Sequence, residues 1–367
     1  MAGWLRTRTG MAVTGGALIV AALVLVAECS SHPAADGGAT GPSPANTGDD
    51  PGPGDEHGPA PAGSHAATSG AAPDDGGPDG PTFFSAWGGA SLDQLGHERP
   101  EEGNPQGPMS FALDAKGRVY VLDNVNGRIV RRDASGKPEA EVKIEETTAQ
   151  DIAVGTDGSM AVLDRFNDKE VALYDESGRP SGSLPLVGDG LPDPGEVTGL
   201  FVDGEDVYVE KEHGPLVKVG TTKGAPAEPR GEIPGRPSRD GLLFLLAGII
   251  EAPAGRVYVT AIDRQTNQHR FTRELKMKTV AHSIVMLDSD KGGTIYLAVE
   301  LELPDGGAEV RLTCMEPLKG VVVGTASLPV NTLPEESFKD MTVLDGGGVL
   351  YAIRSEQGVT YQTFDCN

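Results

Sequence analysis

The sequence predicts an all-β protein whose main domain is a six-bladed β-propeller, and three observations support this. A strand-turn-strand unit at residues 118–138 recurs 41 positions later at residues 159–180, and repeats of about 40 residues are typical of propeller blades. A strand with an apolar-aromatic-apolar pattern recurs along the rest of the chain. The last unit ends one strand short, which indicates that a strand from the N-terminal side closes the ring.

The first copy of the repeat shows why the unit needs neighbours. Val119 and Val121 alternate with Tyr120 and Leu122, which is the period of a strand, and residues 124–127 turn the chain back. Both faces of the resulting sheet carry apolar side chains. Because an isolated ribbon buries neither face, other blades must stack on each side.

Six blades follow from counting the second strand of each unit. These strands are expected at Val119-Tyr120-Val121, Met160-Ala161-Val162, Val207-Tyr208-Val209, Val257-Tyr258-Val259, Ile295-Tyr296-Leu297 and Leu350-Tyr351-Ala352. The inner strands expected before them are SFALD from Ser110, DIAVG from Asp151, GLFVD from Gly199, AGIIE from Ala247, SIVML from Ser283 and DMTVL from Asp340. The fourth blade is the least regular, since residues 268–280 offer one long strand and little room for another.

The sixth blade needs an outer strand from elsewhere, because almost no chain remains after GVTYQTF from Gly358. The apolar segment TFFSAW at residues 82–87 precedes the first repeat and has no partner there. We therefore expect residues 82–367 to form one propeller, closed by pairing of its two ends, which also removes exposed sheet edges.

The repeats resemble the NHL-repeat family of six-bladed propellers. The resemblance rests on the Asp-x-x-Gly turn at residues 114–117, the strand at residues 119–123, and Asn126 with Arg128. In the second blade Glu170 replaces the arginine, and the other four blades keep only the strand pattern. Members of this family include RNA-binding, protein-binding and sensor domains, so the resemblance implies a fold and no particular activity.

The N-terminal segment, residues 1–28, reads as a secretory signal. Arg6 and Arg8 precede an apolar run over residues 11–27, which is short for a transmembrane helix. Cys29 follows where a bacterial lipoprotein signal would end, although Glu28 stands where such signals have a small residue. We expect an exported, membrane-anchored lipoprotein, periplasmic or on the cell surface, lipidated at Cys29; cleavage nearby by an ordinary signal peptidase is the alternative.

A tether is expected at residues 29–81. Residues 30–80 consist mainly of Gly, Pro, Ala, Ser, Thr and Asp, with eight acidic residues and no lysine or arginine. Such a composition buries too little apolar surface to offset the entropy of ordering, so it predicts a disordered linker.

The charge of the chain bears on its partners. Residues 81–367 hold 45 acidic and 28 basic residues, a net charge of −17. Binding of nucleic acid rests on lysine and arginine neutralising phosphates, so nucleic acid is excluded as a partner. An acidic surface is compatible with binding cations or basic partner surfaces, but solubility is the favoured explanation of it. We expect a monomer.

The three cysteines fit an exported protein. Cys314 and Cys366 both end the third strands of the last two blades, which are neighbours in a ring. An oxidising compartment favours a disulfide between them. Two buried free thiols are the alternative.

Motifs for catalysis are absent from the sequence. No G-x-S-x-G, P-loop, C-x-x-C or H-E-x-x-H pattern occurs. The polar loops opposite the tight turns are the expected ligand-binding face, and Glu102, Asn104, Asn124 and Asp164 are the candidate ligand-binding residues near the channel mouth. The wider polar set on this face comprises Glu101, Asn167, Asp168, Glu212, His213, Asp263 and Arg264.

Two functions are compatible with these features. The first is a non-catalytic binding module or scaffold of the cell envelope that recognises a protein, glycan or small ligand on the polar face, without a cofactor. The alternative is a lactonase-like hydrolase, whose six-bladed architecture is similar and which would need Ca²⁺ held by carboxylate and amide oxygens. No catalytic residue is assigned in either case.

Overall fold

A computed structural model of the protein describes residues 80–333 and 335–366. The described residues form six four-stranded antiparallel sheets, with a short 3-10 turn at Pro194–Glu196. The sheets follow one another along the chain as the blades of a β-propeller. The predicted all-β fold with six blades is confirmed.

The strands are numbered in chain order and each blade is given from its inner to its outer strand. Blades 1 to 3 comprise β2 (Ser110–Leu113), β3 (Val119–Asp123), β4 (Arg128–Arg132) and β5 (Pro138–Lys143); β6 (Asp151–Val154), β7 (Met160–Asp164), β8 (Glu170–Tyr174) and β9 (Pro180–Pro185); and β10 (Val197–Asp203), β11 (Asp206–Lys211), β12 (Leu216–Thr221) and β13 (Glu232–Ile233). Blades 4 to 6 comprise β14 (Arg236–Pro237), β15 (Leu243–Glu251), β16 (Arg256–Asp263) and β17 (His269–Lys276); β18 (Val280–Ser289), β19 (Ile295–Glu302), β20 (Ala308–Met315) and β21 (Val322–Leu328); and β22 (Met341–Val343), β23 (Val349–Ser355), β24 (Gly358–Phe364) and β1 (Thr82–Trp87).

The ring closes as predicted, because β1 pairs with β24 as the outer strand of blade 6. The register runs from Thr82 opposite Gln362 to Trp87 opposite Gly358. Phe84 of β1 stacks on Tyr361 with the ring centroids 4.3 Å apart. The two ends of the domain are therefore joined by both backbone pairing and aromatic packing.

Blade 4 differs from its prediction by one strand. Val257-Tyr258-Val259 lies in β16, the third strand of the blade, and the segment from Ala247 lies in β15, the second strand. The inner strand is β14, which has only two residues and pairs through Arg236 opposite Leu245. A strand this short leaves no alternating pattern in a sequence, so the prediction placed the inner strand on the next segment that had one.

The hydrophobic core lies between the blades. All five residues of β3 and of β7 are buried, because each side of these strands faces an adjacent sheet. One apolar cluster packs Leu163 and Val171 of blade 2 against Leu200, Val207 and other residues of blade 3. Each blade depends on its neighbours for burial, as the repeat analysis expected.

The strand directions define two faces of the propeller. On the lower face, chain segments join first to second strands and third to fourth strands. On the upper face, segments join second to third strands and each blade to the next. Three of the lower turns are built alike: the aspartate that directly follows a strand accepts a backbone N–H two residues on, as Asp114, Asp133 and Asp175 do. Asp157 accepts an N–H two residues on in the same way, but from the third position of its turn.

A disulfide joins Cys314 and Cys366 at the lower face, with the Cα atoms 6.2 Å apart. Cys314 lies in β20, and Cys366 follows β24. The predicted pairing is confirmed. The bond links blade 5 to the strand that closes blade 6.

The predicted signal at residues 1–28, the lipidation site Cys29 and nearly all of the tether at residues 29–81 lie outside the described residues. Within the part of the chain that the structure describes, no helix is long and apolar enough to cross a membrane.

Candidate functional site

The two faces of the propeller differ in charge. The segments that form the upper face carry sixteen acidic and five basic residues, whereas those of the lower face carry eleven and ten. Most of the negative charge of the domain that lies outside the strands is therefore on the upper face. A field of this sign attracts cationic ligands and repels anionic ones.

The four predicted site residues all lie on this upper face. Glu102 and Asn104 are exposed in the segment between β1 and β2. Asn124 follows β3 and is half-buried, whereas Asp164 ends β7 and is buried.

Asp164 is committed to its own loop. Its carboxylate accepts the Thr148 hydroxyl at 2.7 Å, the Asn167 N–H at 2.9 Å and the Phe166 N–H at 3.0 Å. These bonds fix the β7–β8 loop and the chain that enters blade 2. The side chain caps a turn.

Asn124 is not the structural counterpart of Asp164. The last residues of β3 and β7 are Asp123 and Asp164, so Asn124 corresponds to Arg165. Side chains of successive strand residues point to opposite faces, and one register step separates the two predicted residues. The Oδ1 atom of Asn124 is buried and has no hydrogen-bond partner among the described residues.

Asp263 and Arg264, members of the wider polar set, lie on the opposite face from the one predicted. They stand where β16 turns into β17, and Arg264 pairs with Asp203, the last residue of β10. This displacement follows from the one-strand shift in blade 4.

Asp151 forms the first of three polar clusters at the upper face. Its buried carboxylate accepts the Ser110 hydroxyl at 2.6 Å and the Leu200 N–H at 2.9 Å, and it pairs with the Lys339 ammonium at 2.8 Å. Lys339 also donates to the Ile152 carbonyl at 3.0 Å. Because these residues belong to the inner parts of blades 1, 2 and 3 and to the segment before β22, one carboxylate ties four parts of the ring together.

Arg165 lies beside this cluster between two aromatic rings. Its guanidinium is 4.9 Å from the centroid of Phe166 and 5.2 Å from that of Phe338, and it donates to the Val197 carbonyl at 2.7 Å. Burial lowers the pKa of Arg165 from its ordinary value. Stacking and one hydrogen bond hold this cation at the upper face.

Glu335 centres a second cluster over blades 6 and 1. Its buried carboxylate accepts the Arg99 Nε–H at 2.7 Å, and the His97 Nε2 atom is 3.6 Å away. Arg99 also pairs with Glu356. The second oxygen of Glu335 is buried without a hydrogen-bond partner among the described residues.

Glu210 centres the third cluster, between blades 3 and 4. Arg236 donates to both carboxylate oxygens at 2.7 and 3.0 Å, Thr198 donates at 3.1 Å, and the His213 Nδ1 atom is 3.6 Å away. Burial acts to raise the pKa of Glu210, but the Arg236 charge and the surrounding donors outweigh it and lower the pKa to about 2. The carboxylate is therefore ionised at neutral pH.

The loop above Glu210 is conformationally strained. Glu212 and His213 have φ angles of 50° and 57°, in the left-handed region that side chains other than glycine disfavour. The His213 N–H donates to the Thr198 hydroxyl at 2.8 Å. The strained turn leaves the imidazole ring exposed to solvent above a buried carboxylate.

Sequence reasoning named His213 in the wider polar set and missed the residues at the centres of the clusters. Asp151 and Lys339 are 188 positions apart, and Arg99 and Glu335 are 236 apart, so no local pattern joins them. Asp151 was recognised only as the start of an inner strand. Within residues 80–333 and 335–366, no group of three His, Cys, Asp or Glu side chains is arranged to hold a metal ion.

No protein-family model matches this chain, and no curated protein matches its sequence. Among solved structures, hydrazine synthase of Kuenenia stuttgartiensis is similar, with 16% identity over 70% of this chain and 76% of that chain, at a TM-score of 0.48. A streptogramin B lyase has 12% identity over 74% and 97% of the two chains, at a TM-score of 0.41.

Virginiamycin B lyase from Staphylococcus aureus has 11% identity over 71% of this chain and 95% of that chain, at a TM-score of 0.41. A WD40 domain of Sif2 is also similar, with 12% identity over 70% of each chain and a TM-score of 0.37. Similar structures thus include lyases and a WD40 domain. Likenesses at this level concern the fold alone, and function has to be argued from the site.

Proposed function

We propose that this chain is an exported, lipid-anchored, non-catalytic binding module that recognises a basic protein segment in the cell envelope with its upper face. The observation that carries the proposal is the charge difference between the faces: sixteen acidic and five basic residues above, against eleven and ten below. A surface needed only for solubility has no reason to concentrate its charge on one face.

The state of the carboxylates supports a binding surface. Asp151, Glu210 and Glu335 are buried and paired with lysine or arginine, so they are committed to holding the upper face together. Glu101 and Glu102 are exposed and form no ion pair among the described residues. Such carboxylates remain available to a basic partner and increase the rate at which it is captured.

The lipid anchor is supported by Arg6, Arg8, the apolar run at residues 11–27 and Cys29. Mass spectrometry of the mature N-terminus tests this part of the proposal. We expect the chain to begin at Cys29 and to carry a lipid. A different terminus, or release from membranes that Cys29→Ser leaves unchanged, would remove the anchor from the proposal.

Fluorescence anisotropy of a labelled oligolysine peptide tests the binding face. Glu101→Lys with Glu102→Lys should weaken binding about tenfold, and higher salt should weaken it further. The matched control is Glu205→Lys with Glu228→Lys, which makes the same charge change at two exposed positions of the lower face. Equal losses in both variants, or no binding by the parent chain, would refute recognition by the upper face.

A calcium-dependent hydrolase is the second candidate, and buried oxygen atoms favour it. Asn124 Oδ1, Gln150 Oε1 and Glu335 Oε2 are buried without hydrogen-bond partners among the described residues, and oxygen atoms of this kind are the ligands of Ca²⁺. Elemental analysis after dialysis distinguishes the two functions. One Ca²⁺ retained per chain, and lost in the Asn124→Ala variant, would favour the hydrolase.

A further inference from the structure

An exposed apolar surface lies at the lower, outer edge of blade 5. It consists of Leu318, Val321, Val322 and Val323, which are 66, 48, 41 and 61% exposed, and we call it the apolar corner. These are four of the twelve large apolar residues that are most exposed in the described part of the chain. Four exposed large apolar residues within six positions mark a site of contact with another molecule or a membrane.

The N–H groups of this loop are all hydrogen-bonded. The Glu316 carboxylate accepts the N–H groups of Leu318 at 2.8 Å, Lys319 at 2.7 Å and Val321 at 3.2 Å. The N–H groups of Glu316 and Gly320 donate to the carbonyls of Val321 and Glu316. Because residue 317 is a proline, every N–H from 316 to 321 has an acceptor.

A loop with satisfied donors is suited to an apolar environment, since an unpaired N–H in hydrocarbon costs several kcal/mol. The same hydrogen bonds also change the pKa of the Glu316 carboxyl group that accepts them. Burial acts to raise the pKa of Glu316, but the three N–H donors outweigh it and lower the pKa. The loop is therefore held in one shape with its apolar side chains outward.

The apolar corner and the point where the tether joins the propeller both lie on the lower face. Pro81, at the start of β1, accepts the Thr363 N–H at 3.0 Å near the lower end of β24. Cys366 follows that strand and is bonded to Cys314, which pairs with Gly324 of β21. Strand pairing and the disulfide thus connect the tether and the apolar corner through adjacent strands on the same face.

Charge also distinguishes this face. The lower segments carry eleven acidic and ten basic residues, whereas the upper face has an excess of eleven acidic residues. Bilayers that contain anionic lipids repel an acidic surface and attract basic side chains. Lys319 lies within the loop, and Arg273 of β17 donates to the carbonyls of Lys319 and Gly320.

We propose that the apolar corner inserts into the interfacial region of a lipid bilayer, so that the lower face is held against the membrane and the acidic upper face is turned away from it. The proposal rests on the proposed lipid anchor, which brings the chain to the membrane. It adds an orientation that an anchor on a long tether would not impose.

Tryptophan fluorescence on vesicles tests the orientation. The mature chain, as recovered from cells, is reconstituted with phosphatidylcholine and phosphatidylglycerol that carry brominated acyl chains. In a Trp87→Phe background we expect the Leu318→Trp variant to be quenched about twofold. The matched control is Val187→Trp, because Val187 is similarly exposed in a segment of the upper face, and it should not be quenched.

Failure of this inference is separable from failure of the anchor. Leu318→Trp that remains unquenched in a chain shown to be lipidated overturns the orientation and leaves the anchor intact. If the recovered chain proves to be unlipidated and added vesicles still quench the fluorescence of Leu318→Trp, the orientation is supported and the proposed lipid anchor is refuted. In a vesicle flotation assay with unlipidated chains, the Leu318→Asp, Val323→Asp double variant should bind vesicles about tenfold more weakly than the parent. Val187→Asp should bind as strongly as the parent does.

A second copy of the chain is the competing occupant, because the outer edge of β21 pairs with no other strand among the described residues. Sedimentation without vesicles detects it. A dimer that becomes monomeric in the Leu318→Asp, Val323→Asp variant would overturn the proposal. All four side chains of the apolar corner are exposed, so each variant should melt at the temperature of the parent, which serves as the folding control.

Discussion

The upper and lower faces of this propeller are built in different ways. The lower face repeats one turn, in which an aspartate such as Asp114 or Asp175 accepts N–H groups of its own turn. The upper face is held by ion pairs that occur once each, such as Lys339 with Asp151 and Arg236 with Glu210. The repeated turns of the lower face are specified locally, although single ion pairs such as Arg239 with Asp288 also occur there. The clusters of the upper face depend on residues far apart in the chain.

This difference separates scaffold from function. A turn that recurs in several blades serves the blade, because each copy caps the same strand end. Burying an ion pair costs desolvation free energy, and a pair that occurs in one blade only is not required by the blade structure as such. Such a pair therefore has a role at one particular place in the ring. The non-repeated upper face, with its acidic field, is therefore where recognition is expected, while the lower face supplies support and the proposed membrane contact.

The largest expected effect tests the lower face as support. Replacing both Cys314 and Cys366 by serine should lower the free energy of unfolding by about 4 kcal/mol, because the bond closes a loop of 52 positions. Urea denaturation of the variant beside the parent, with and without reductant, measures the change. A loss below about 1 kcal/mol would show that strand pairing alone holds blades 5 and 6 together.

The next effect tests whether buried ion pairs hold the upper face. Glu210 has a pKa lowered to about 2 from an ordinary value of 4.5, so its pairing stabilises the fold above about pH 5 and is lost as the pH falls towards 2. We expect this group to contribute on the order of 3 kcal/mol to that loss. In Glu210→Gln the stability at neutral pH should fall and its acid dependence should flatten.

The exposed neighbour Glu212 provides the control for that experiment. Glu212→Gln changes the same charge two residues away and should leave both the stability and the acid dependence close to those of the parent. Equal pH profiles for the parent and Glu210→Gln would mean that the Glu210–Arg236 pair does not stabilise this face.

A smaller effect distinguishes a turn cap from a ligand-binding residue. Asp164→Ala should cost about 2 kcal/mol, because the Thr148 hydroxyl and the N–H groups of Phe166 and Asn167 lose their acceptor. Asn124→Ala should change stability by no more than about 0.5 kcal/mol. Thermal unfolding of the two variants measures the difference. If Asp164→Ala is as stable as the parent, the Asp164 carboxylate is not needed as a turn cap and is again a candidate ligand-binding group.

Much of the fold is predictable from the sequence. The alternation in β3 and β7, the two-copy repeat and the unpaired segment at residues 82–87 were sufficient for the blade count and the closure. Blade 4 was misplaced because β14 has only two residues. Periodicity identifies a strand but does not tell whether it is the second or the third of its blade.

The upper face was predictable only in part. The polar loops and their side of the ring followed from turn lengths, and the disulfide followed from the strand ranks of Cys314 and Cys366. The pairing of Asp151 with Lys339 depends on how the segment before β22 crosses to blade 2. No local rule of capping or spacing encodes such a contact, since it is set by the closed ring.

Cross-linking tests the difference between the faces most directly. Oligolysine is bound to the full chain and coupled to neighbouring carboxylates with a carbodiimide, and mass spectrometry then locates the modified residues. We predict that the cross-links concentrate on upper-face residues such as Glu101, Glu102 and Glu212. Cross-links shared evenly with lower-face residues such as Glu205 and Glu228 would contradict recognition by the upper face.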